Sequence, residues 1–210
     1  MRIWPLDSLK KGIITTKFPK KENETISPWS TLPKRKNDED VFCPADAIGT
    51  EGVDLKKCIS CGLCDSSFEP SLKTDNYSMI RKEPALKKSF KIFAIDSGTC
   101  GSCNTELHSI NNPYYDASRL GIFFTNTPKQ ADALAIMGVY SEKMVPVIKE
   151  AISAMSRPAV IILFGACPLS GNIFGKSLES IIEPDLVIGG CPPDPFVIIE
   201  ALEKVRGRKQ

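Results

Sequence analysis

Histidine is nearly absent from this chain: His108 is the only one among 210 residues. A thiol or hydroxyl nucleophile would find a single base, with no evident relay partner behind it, so cysteine-nucleophile chemistry is not expected. Net charge is also small. The 27 basic and 25 acidic residues leave +2, which argues against broad electrostatic binding of nucleic acid. No apolar run approaches the roughly 20 residues that span a bilayer, so no transmembrane segment of the chain's own is expected. The opening, Met1-Arg-Ile-Trp-Pro-Leu-Asp7, lacks the apolar core of a secretory signal. The expected setting is therefore the reducing interior of a cell.

Cysteine, by contrast, is plentiful. In a reducing compartment eight cysteines point to metal ligands or redox groups rather than disulfides. Their spacing divides them four and four, with none spare. The rest of the composition is that of a soluble globular protein of one or two domains, with 42% apolar and 25% charged residues.

Residues 1–38 carry little regular pattern. Trp4, Pro5, Pro19, Pro28, Trp29 and Pro33 interrupt them. Two tryptophans in a polar stretch favour an extended docking arm, because exposed tryptophan is unusual. The composition equally allows a disordered tail. The mixed-sign run Lys34-Arg-Lys-Asn-Asp-Glu-Asp40 reads as a solvated loop.

The first cysteine set lies within 39–72: Cys43-Pro44, then Cys58-Ile-Ser-Cys61-Gly-Leu-Cys64. Bacterial ferredoxins use C-x₂-C-x₂-C-x₃-C-P, and in two-cluster forms the fourth cysteine of each run binds the other cluster. Here Phe68 stands where the fourth cysteine of the triplet belongs. Pro33, Lys36 and Glu39 stand where the triplet belonging to Cys43-Pro44 would be. The two defects cancel, and Cys43, Cys58, Cys61 and Cys64 are left as the ligands of one [4Fe–4S] cluster in a small α+β ferredoxin-like module. A zinc site is the alternative, but zinc ribbons use two separated pairs.

Residues 73–89 are polar, contain Pro84 and read as a linker. Residues 90–210 alternate strand and helix patterns, which argues an α/β domain with a parallel sheet. Strands are expected at Phe90–Ile95, Gly121–Phe124, Ala131–Met137, Ala159–Phe164 and Leu186–Ile188. Helices are expected at Cys103–Ile110, after an N-cap at Ser141, around Leu178–Ile182, and as an amphipathic segment over Phe196–Val205.

The second cysteine set follows three of these strands. Cys100 and Cys103 lie in Asp96-Ser-Gly-Thr-Cys100-Gly-Ser-Cys103-Asn-Thr-Glu106. Cys167 lies in Phe164-Gly-Ala-Cys-Pro-Leu-Ser-Gly171, and Cys191 in Ile188-Gly-Gly-Cys-Pro-Pro-Asp194. Three strand ends deliver four thiols to the carboxyl edge of a sheet, where open α/β sheets bind ligands. Four converging thiolates suit a [4Fe–4S] cluster or, less well, a structural zinc. The segment after Phe164 lacks the Gly-Lys-Ser/Thr ending of a phosphate loop. Glu106 is a candidate for proton transfer beside the cluster. As a plain structural residue it would be an acid of the helix's first turn. His108 reads as a surface or packing residue.

Residues 90–206 resemble the small subunit of [NiFe] hydrogenases, in particular the membrane-bound, energy-converting group related to complex I. The resemblance is carried by the Asp96–Glu106 motif, Pro113-Tyr-Tyr-Asp116, Ala131-Asp-Ala-Leu134, Gly165-Ala-Cys167 and Gly190-Cys191-Pro192. It implies a flavodoxin-like fold and a proximal [4Fe–4S] cluster on Cys100, Cys103, Cys167 and Cys191. Two residues separate Cys100 from Cys103, whereas the homologous complex I chain typically has adjacent cysteines, so the hydrogenase side is favoured. Leu9-Lys-Lys-Gly-Ile-Ile-Thr-Thr-Lys-Phe-Pro19 more weakly resembles the start of ferredoxin subunits of the same complexes.

The function this resemblance implies is that of an electron-transfer subunit with two [4Fe–4S] clusters. It would join soluble ferredoxin or a similar carrier to the Ni–Fe centre of a [NiFe] hydrogenase-type large subunit. Other ferredoxin-like and membrane subunits would hold it on the inner face of the cell membrane. The alternatives are the same role in a complex I-like quinone or sulfur reductase, and a zinc-structured binding module. The last would call for a basic, aromatic-rich face, and the sequence has none.

Overall fold

A computed structural model of the chain describes residues 15–21, 26–98 and 100–208. The strands in chain order are β1 (Pro33–Arg35), β2 (Ile48–Gly49), β3 (Gly52–Val53), β4 (Phe68–Pro70), β5 (Tyr77–Met79), β6 (Phe90–Asp96), β7 (Ile122–Phe124), β8 (Ala133–Met137), β9 (Val160–Phe164) and β10 (Leu186–Ile188). The helices are α1 (Ser102–Ser109), α2 (Met144–Ala154), α3 (Ala166–Ser170) and α4 (Pro195–Val205).

The six-stranded sheet has the order β5-β10-β9-β8-β6-β7. Strands β6 to β10 run parallel and β5 joins the β10 edge antiparallel. Numbered within the parallel set, the order is 2-1-3-4-5, the flavodoxin-like arrangement, which reverses direction between β6 and β8. Side chains alternate between two apolar layers, as a period of two requires. Ala133, Ala135, Met137, Val160, Ile162 and Phe164 face one layer with α1 and α4. Leu134, Ile136, Ile161 and Leu163 face the other with α2. Both faces are covered, which is why these strands read as unbroken apolar runs.

Helix α4 is expected to be amphipathic and is instead buried along nearly its whole length, Lys204 excepted. Its outer side is covered by the segment at 15–21. Phe18, only 2% exposed, meets Phe196 edge-on with ring centroids 5.0 Å apart. Thr16 N–H donates to the Tyr114 carbonyl at 2.7 Å, and Thr15 Oγ1 donates to the Pro113 carbonyl at 3.0 Å. Residues 15–21 of the arm are thus a strap across the α/β domain, whereas Trp29 and Pro33–Arg35 pack with the front module. Trp4 and the stretch Leu9–Ile14 lie outside the described residues.

Asp194 caps α4, accepting from Phe196 N–H at 2.8 Å, and Pro195 takes the first position. Burial pushes the Asp194 carboxyl up, while hydrogen bonds from Phe196 and Ser30 pull it back. Asp194→Ala should lower stability by about 1 kcal/mol, seen as a lower urea midpoint at unchanged slope.

Several local expectations resolve differently. Residues 77–79, inside the stretch read as a linker, form β5, because the β10 edge offers an unpaired ladder. Part of the run 34–40 is β1, paired with β4 across Lys34 and Glu69. Ser141 offers α2 its backbone carbonyl, accepting from Met144 and Val145 N–H at 3.0 and 3.1 Å, and the capping position falls to Lys143. Residues 178–182 make one turn and no helix, since Pro184 follows before a second turn can form. Among the described residues no helix is long and apolar enough to cross a membrane.

Candidate metal centres

Strand β6 ends at Asp96, and its carboxylate ties the following loop. Asp96 Oδ1 accepts from Gly98 N–H at 2.8 Å, and Oδ2 accepts from Asn104 Nδ2 at 2.6 Å. The loop carries Cys100 and leads into α1, which carries Cys103. Cys167 sits on α3 directly after β9, and Cys191 follows β10. All four occupy the carboxyl edge beside the reversal point between β6 and β8.

Electrostatics tie these four thiols together. Burial pushes the Cys103 thiol up to about 12, and Cys191, Cys167 and Cys100 each add to the rise. Burial raises Cys167, with Cys191 and Cys100 adding. Burial raises Cys191 as well, with Cys100 adding. Only Cys100 goes down, because hydrogen bonding with the Ser102 side chain and backbone favours its thiolate; as a thiol its Sγ donates to Ser102 Oγ at 3.4 Å. Glycine makes room for the set: a Cβ on Gly165 would stand 2.7 Å from Cys103 Sγ.

The front quartet is built from turns. Cys43 Sγ accepts from Ala47 N–H at 3.3 Å. Cys58 N–H donates to the Asp54 carbonyl at 3.0 Å, and the Cys64 carbonyl accepts from Phe68 N–H at 2.8 Å. Cys43, Cys58, Cys61 and Cys64 all line one apolar cleft. Burial raises Cys58, with Cys64 and Cys43 adding. Cys64 is raised by burial and then by Cys61 and Cys43. The Trp29 ring backs the turn between Cys61 and Cys64, 3.4 Å from where a Gly62 Cβ would be.

Mutual repulsion therefore runs within each quartet, and no thiol of one set figures among the causes acting on the other. Thiolates crowded in this way need cationic charge, and a metal supplies it by inverting the local proton affinity. The donor chemistry of each quartet, four sulfurs in a largely apolar setting, fits an iron–sulfur cluster. Among the described residues, no three Cys, His, Asp or Glu side chains close on a common point as single-ion ligands do.

Glu106 lies in the second turn of α1, not the first, so the first-turn reading does not apply. It is half-buried, and its Oε2 accepts from Ser109 Oγ at 3.4 Å. Its charge acts on Tyr115, which burial first and then Asp194 and Glu106 push up to about 12. His108 is exposed and packs on Phe124 at 4.6 Å. Ser102 and Asn172, whose side chain reaches the Cys167 sulfur, are site residues that sequence reasoning missed. Ser102 carried a signal by standing inside the Cys-Gly-Ser-Cys motif.

A flavodoxin-like sheet carries four cysteines at its carboxyl edge, and comparison with known proteins gives its class, a subunit of an oxidoreductase complex. The family model described as NADH ubiquinone oxidoreductase, 20 Kd subunit, matches residues 100–205. The chain belongs to that family of oxidoreductase-complex subunits. It is 33% identical over 124 residues to a probable membrane-bound hydrogenase subunit, mbhJ, of Pyrococcus furiosus, covering 54% of this chain and 74% of the relative. It is 38% identical over 113 residues to an NADH-quinone oxidoreductase subunit of Symbiobacterium thermophilum, covering 50% of this chain and 68% of the relative. Among solved structures it is similar to a chain of the membrane-bound sulfane sulfur reductase, an archaeal respiratory membrane complex. There the identity is 27%, the TM-score 0.51 and the coverage 59% of this chain and 71% of the other. The front quartet lies outside the residues matched by the family model.

Proposed function

We propose that the chain is the electron-transfer small subunit of a multi-subunit [NiFe] hydrogenase. Cys100, Cys103, Cys167 and Cys191 would hold the cluster nearest the Ni–Fe site of a partner large subunit. Cys43, Cys58, Cys61 and Cys64 would hold a second cluster, toward a soluble ferredoxin or similar carrier. Each [4Fe–4S] group supplies one-electron redox chemistry, with a potential tuned by charge, hydrogen bonds and solvent. The partition of eight thiols into two separately interacting quartets carries this reading. The hydrogenase relative and the Cys100-x-x-Cys103 spacing favour hydrogen as the substrate. Glu106, near Tyr115 and in the second turn of α1, would pass protons near the first cluster. Membrane and ferredoxin-like subunits would anchor the chain on the inner face of the membrane, consistent with relatives named as subunits of membrane-bound complexes.

The residues of this chain have a simple share of the work. The glycines and prolines around the sulfurs keep backbone close and polar contacts few. Hydrogen bonding with Ser102 favours the thiolate form of Cys100. A second reading, a quinone or sulfur reductase of the same build, is favoured by the NADH-quinone oxidoreductase relative and by the sulfane sulfur reductase neighbour.

Iron analysis and EPR of the reduced, anaerobically purified chain test the proposal. About eight irons per chain with two [4Fe–4S]⁺ signals are expected. Zinc without an iron signal overturns it. Exposure of the native complex to H₂ then separates the two readings. Reduction of the clusters by H₂ is expected for the hydrogenase, and no reduction leaves the quinone or sulfur reductase.

A further inference from the structure

We propose that Gly189 is the joint through which the two cysteine quartets exchange an electron, and that its missing side chain sets their separation. The inference rests on the two-cluster reading above. Gly189 lies two residues before Cys191, and Leu55 lies three residues before Cys58. The two backbones meet here. A Cβ on Gly189 would stand 2.3 Å from the Leu55 carbonyl oxygen, 3.1 Å from its carbon and 2.7 Å from Asn76 Oδ1. Gly189 is not among the positive-φ glycines, so its backbone would accept any residue. Glycine stands at this position because the front module presses against it, not because the chain bends there.

The surrounding groups hold that contact. Gly189 N–H donates to the Asn76 carbonyl at 2.9 Å. Asn76 is 1% exposed, and its Oδ1 is buried at the seam without a hydrogen-bond partner. Such an atom is costly to bury. Lys56 Nζ and Glu179 Oε1 close the same seam at 2.6 Å. Leu55 packs on the apolar layer beneath the sheet. On the front side, Lys57 and Cys58 N–H both donate to the Asp54 carbonyl, at 3.2 and 3.0 Å, so the turn that presents Leu55 also fixes Cys58.

Electron tunnelling falls off exponentially with distance and is faster through packed protein than across solvent. The Leu55–Gly189 contact gives a packed path from the Cys58 turn to the Cys191 loop. With a cluster held by Cys58 and its three partners and another by Cys191 and its three partners, one electron would pass between the two quartets. No bond is made or broken and no proton moves within the joint. An added methyl would force the seam open and lengthen the gap between the quartets, while the four sulfurs of each quartet stay together.

The test compares wild type with Gly189→Ala as full chains, purified without oxygen, reduced, and studied by iron analysis and EPR. Wild type should hold about eight irons and show magnetic interaction between its two reduced clusters. Gly189→Ala should keep the iron and both signals and lose the interaction. An unchanged interaction in Gly189→Ala overturns the joint. If Gly189→Ala fails to keep both clusters, Lys56→Glu is read in its place, because it sets like charges across the same seam without touching the Cys191 loop. A weakened interaction there supports the joint, and an unchanged one overturns it. Wild type with only about four irons overturns the two-cluster reading itself, and the joint with it.

Discussion

Cys191→Ala is expected to halve the iron of the reduced chain and to leave one cluster's EPR signal intact. Cys191 is exposed and stands on a loop after β10, so its loss should not disturb the sheet. Its sulfur acts on Cys103 and Cys167, and Cys100 acts on it in turn. Removing it takes one ligand of four from a single quartet. Iron should fall from about eight to about four per chain, with the signal of the front cluster unchanged. Cys58→Ala should give the reciprocal result. Cys58 is 8% exposed and lies among Cys43, Cys61 and Cys64 in the front cleft. Disappearance of both signals in either variant would contradict two separate sites.

The second large effect is one of stability, and it lies far from any sulfur. Arg206 is 0% exposed. Its Nη2 donates to the Lys87 and Leu120 carbonyls, each at 2.8 Å, and its guanidinium sits 5.5 Å from the centre of the Phe90 ring. Its Nη1 lies 3.3 Å from Glu203 Oε1. Burial pushes the Glu203 carboxyl up, and Arg206, Arg208 and Arg119 offset only part of that rise. Arg206→Ala takes the donor from the Lys87 carbonyl, leaves the Leu120 carbonyl to Arg208 alone, and removes the strongest of the three countercharges. A loss of about 3–5 kcal/mol is expected, as for one partner taken from a buried pair, read as a lower urea midpoint. The sign of the pH dependence follows. Stranding Glu203 in the variant disfavours its charged form further, so the deficit should shrink as pH falls and the carboxyl takes up a proton. Adding Glu203→Gln to the variant should recover part of the loss at neutral pH.

The parts of the fold written in local pattern were legible. Phe90–Asp96, Ala133–Met137 and Val160–Phe164 are short apolar runs bounded by glycine or polar residues, and each is a strand. The α/β class with a parallel sheet follows from their alternation with helices, and the flavodoxin-like arrangement is what the family resemblance implied. The proposed grouping of the cysteines rests on local spacing for Cys58, Cys61 and Cys64, and on strand ends that bring the others to one edge. What the sequence hid depends on partners far along the chain. Tyr77-Ser-Met79 has no strand signal of its own and becomes β5 through pairing with Leu186–Ile188. The outer side of α4 looks solvent-facing until Phe18 and Tyr115 are placed on Phe196. Nothing in Gly189 alone foretells the Leu55 carbonyl against it.

Strand β5 also decides what the rest of the sheet can meet. A parallel sheet ending at β10 would present a row of free N–H and C=O groups to solution, the template on which a second chain can add a strand. The three residues of β5 occupy that row, and Ile80 N–H continues it by donating to the Asp185 carbonyl at 2.8 Å. The covering strand belongs to the segment that leads from the front cysteines. A chain begun at Phe90 would keep the rear quartet and its sheet order but bare the β10 edge to other copies of itself. The front of the molecule thus replaces the β10 edge by β5, a three-residue edge strand of the kind that offers a second chain little to pair with.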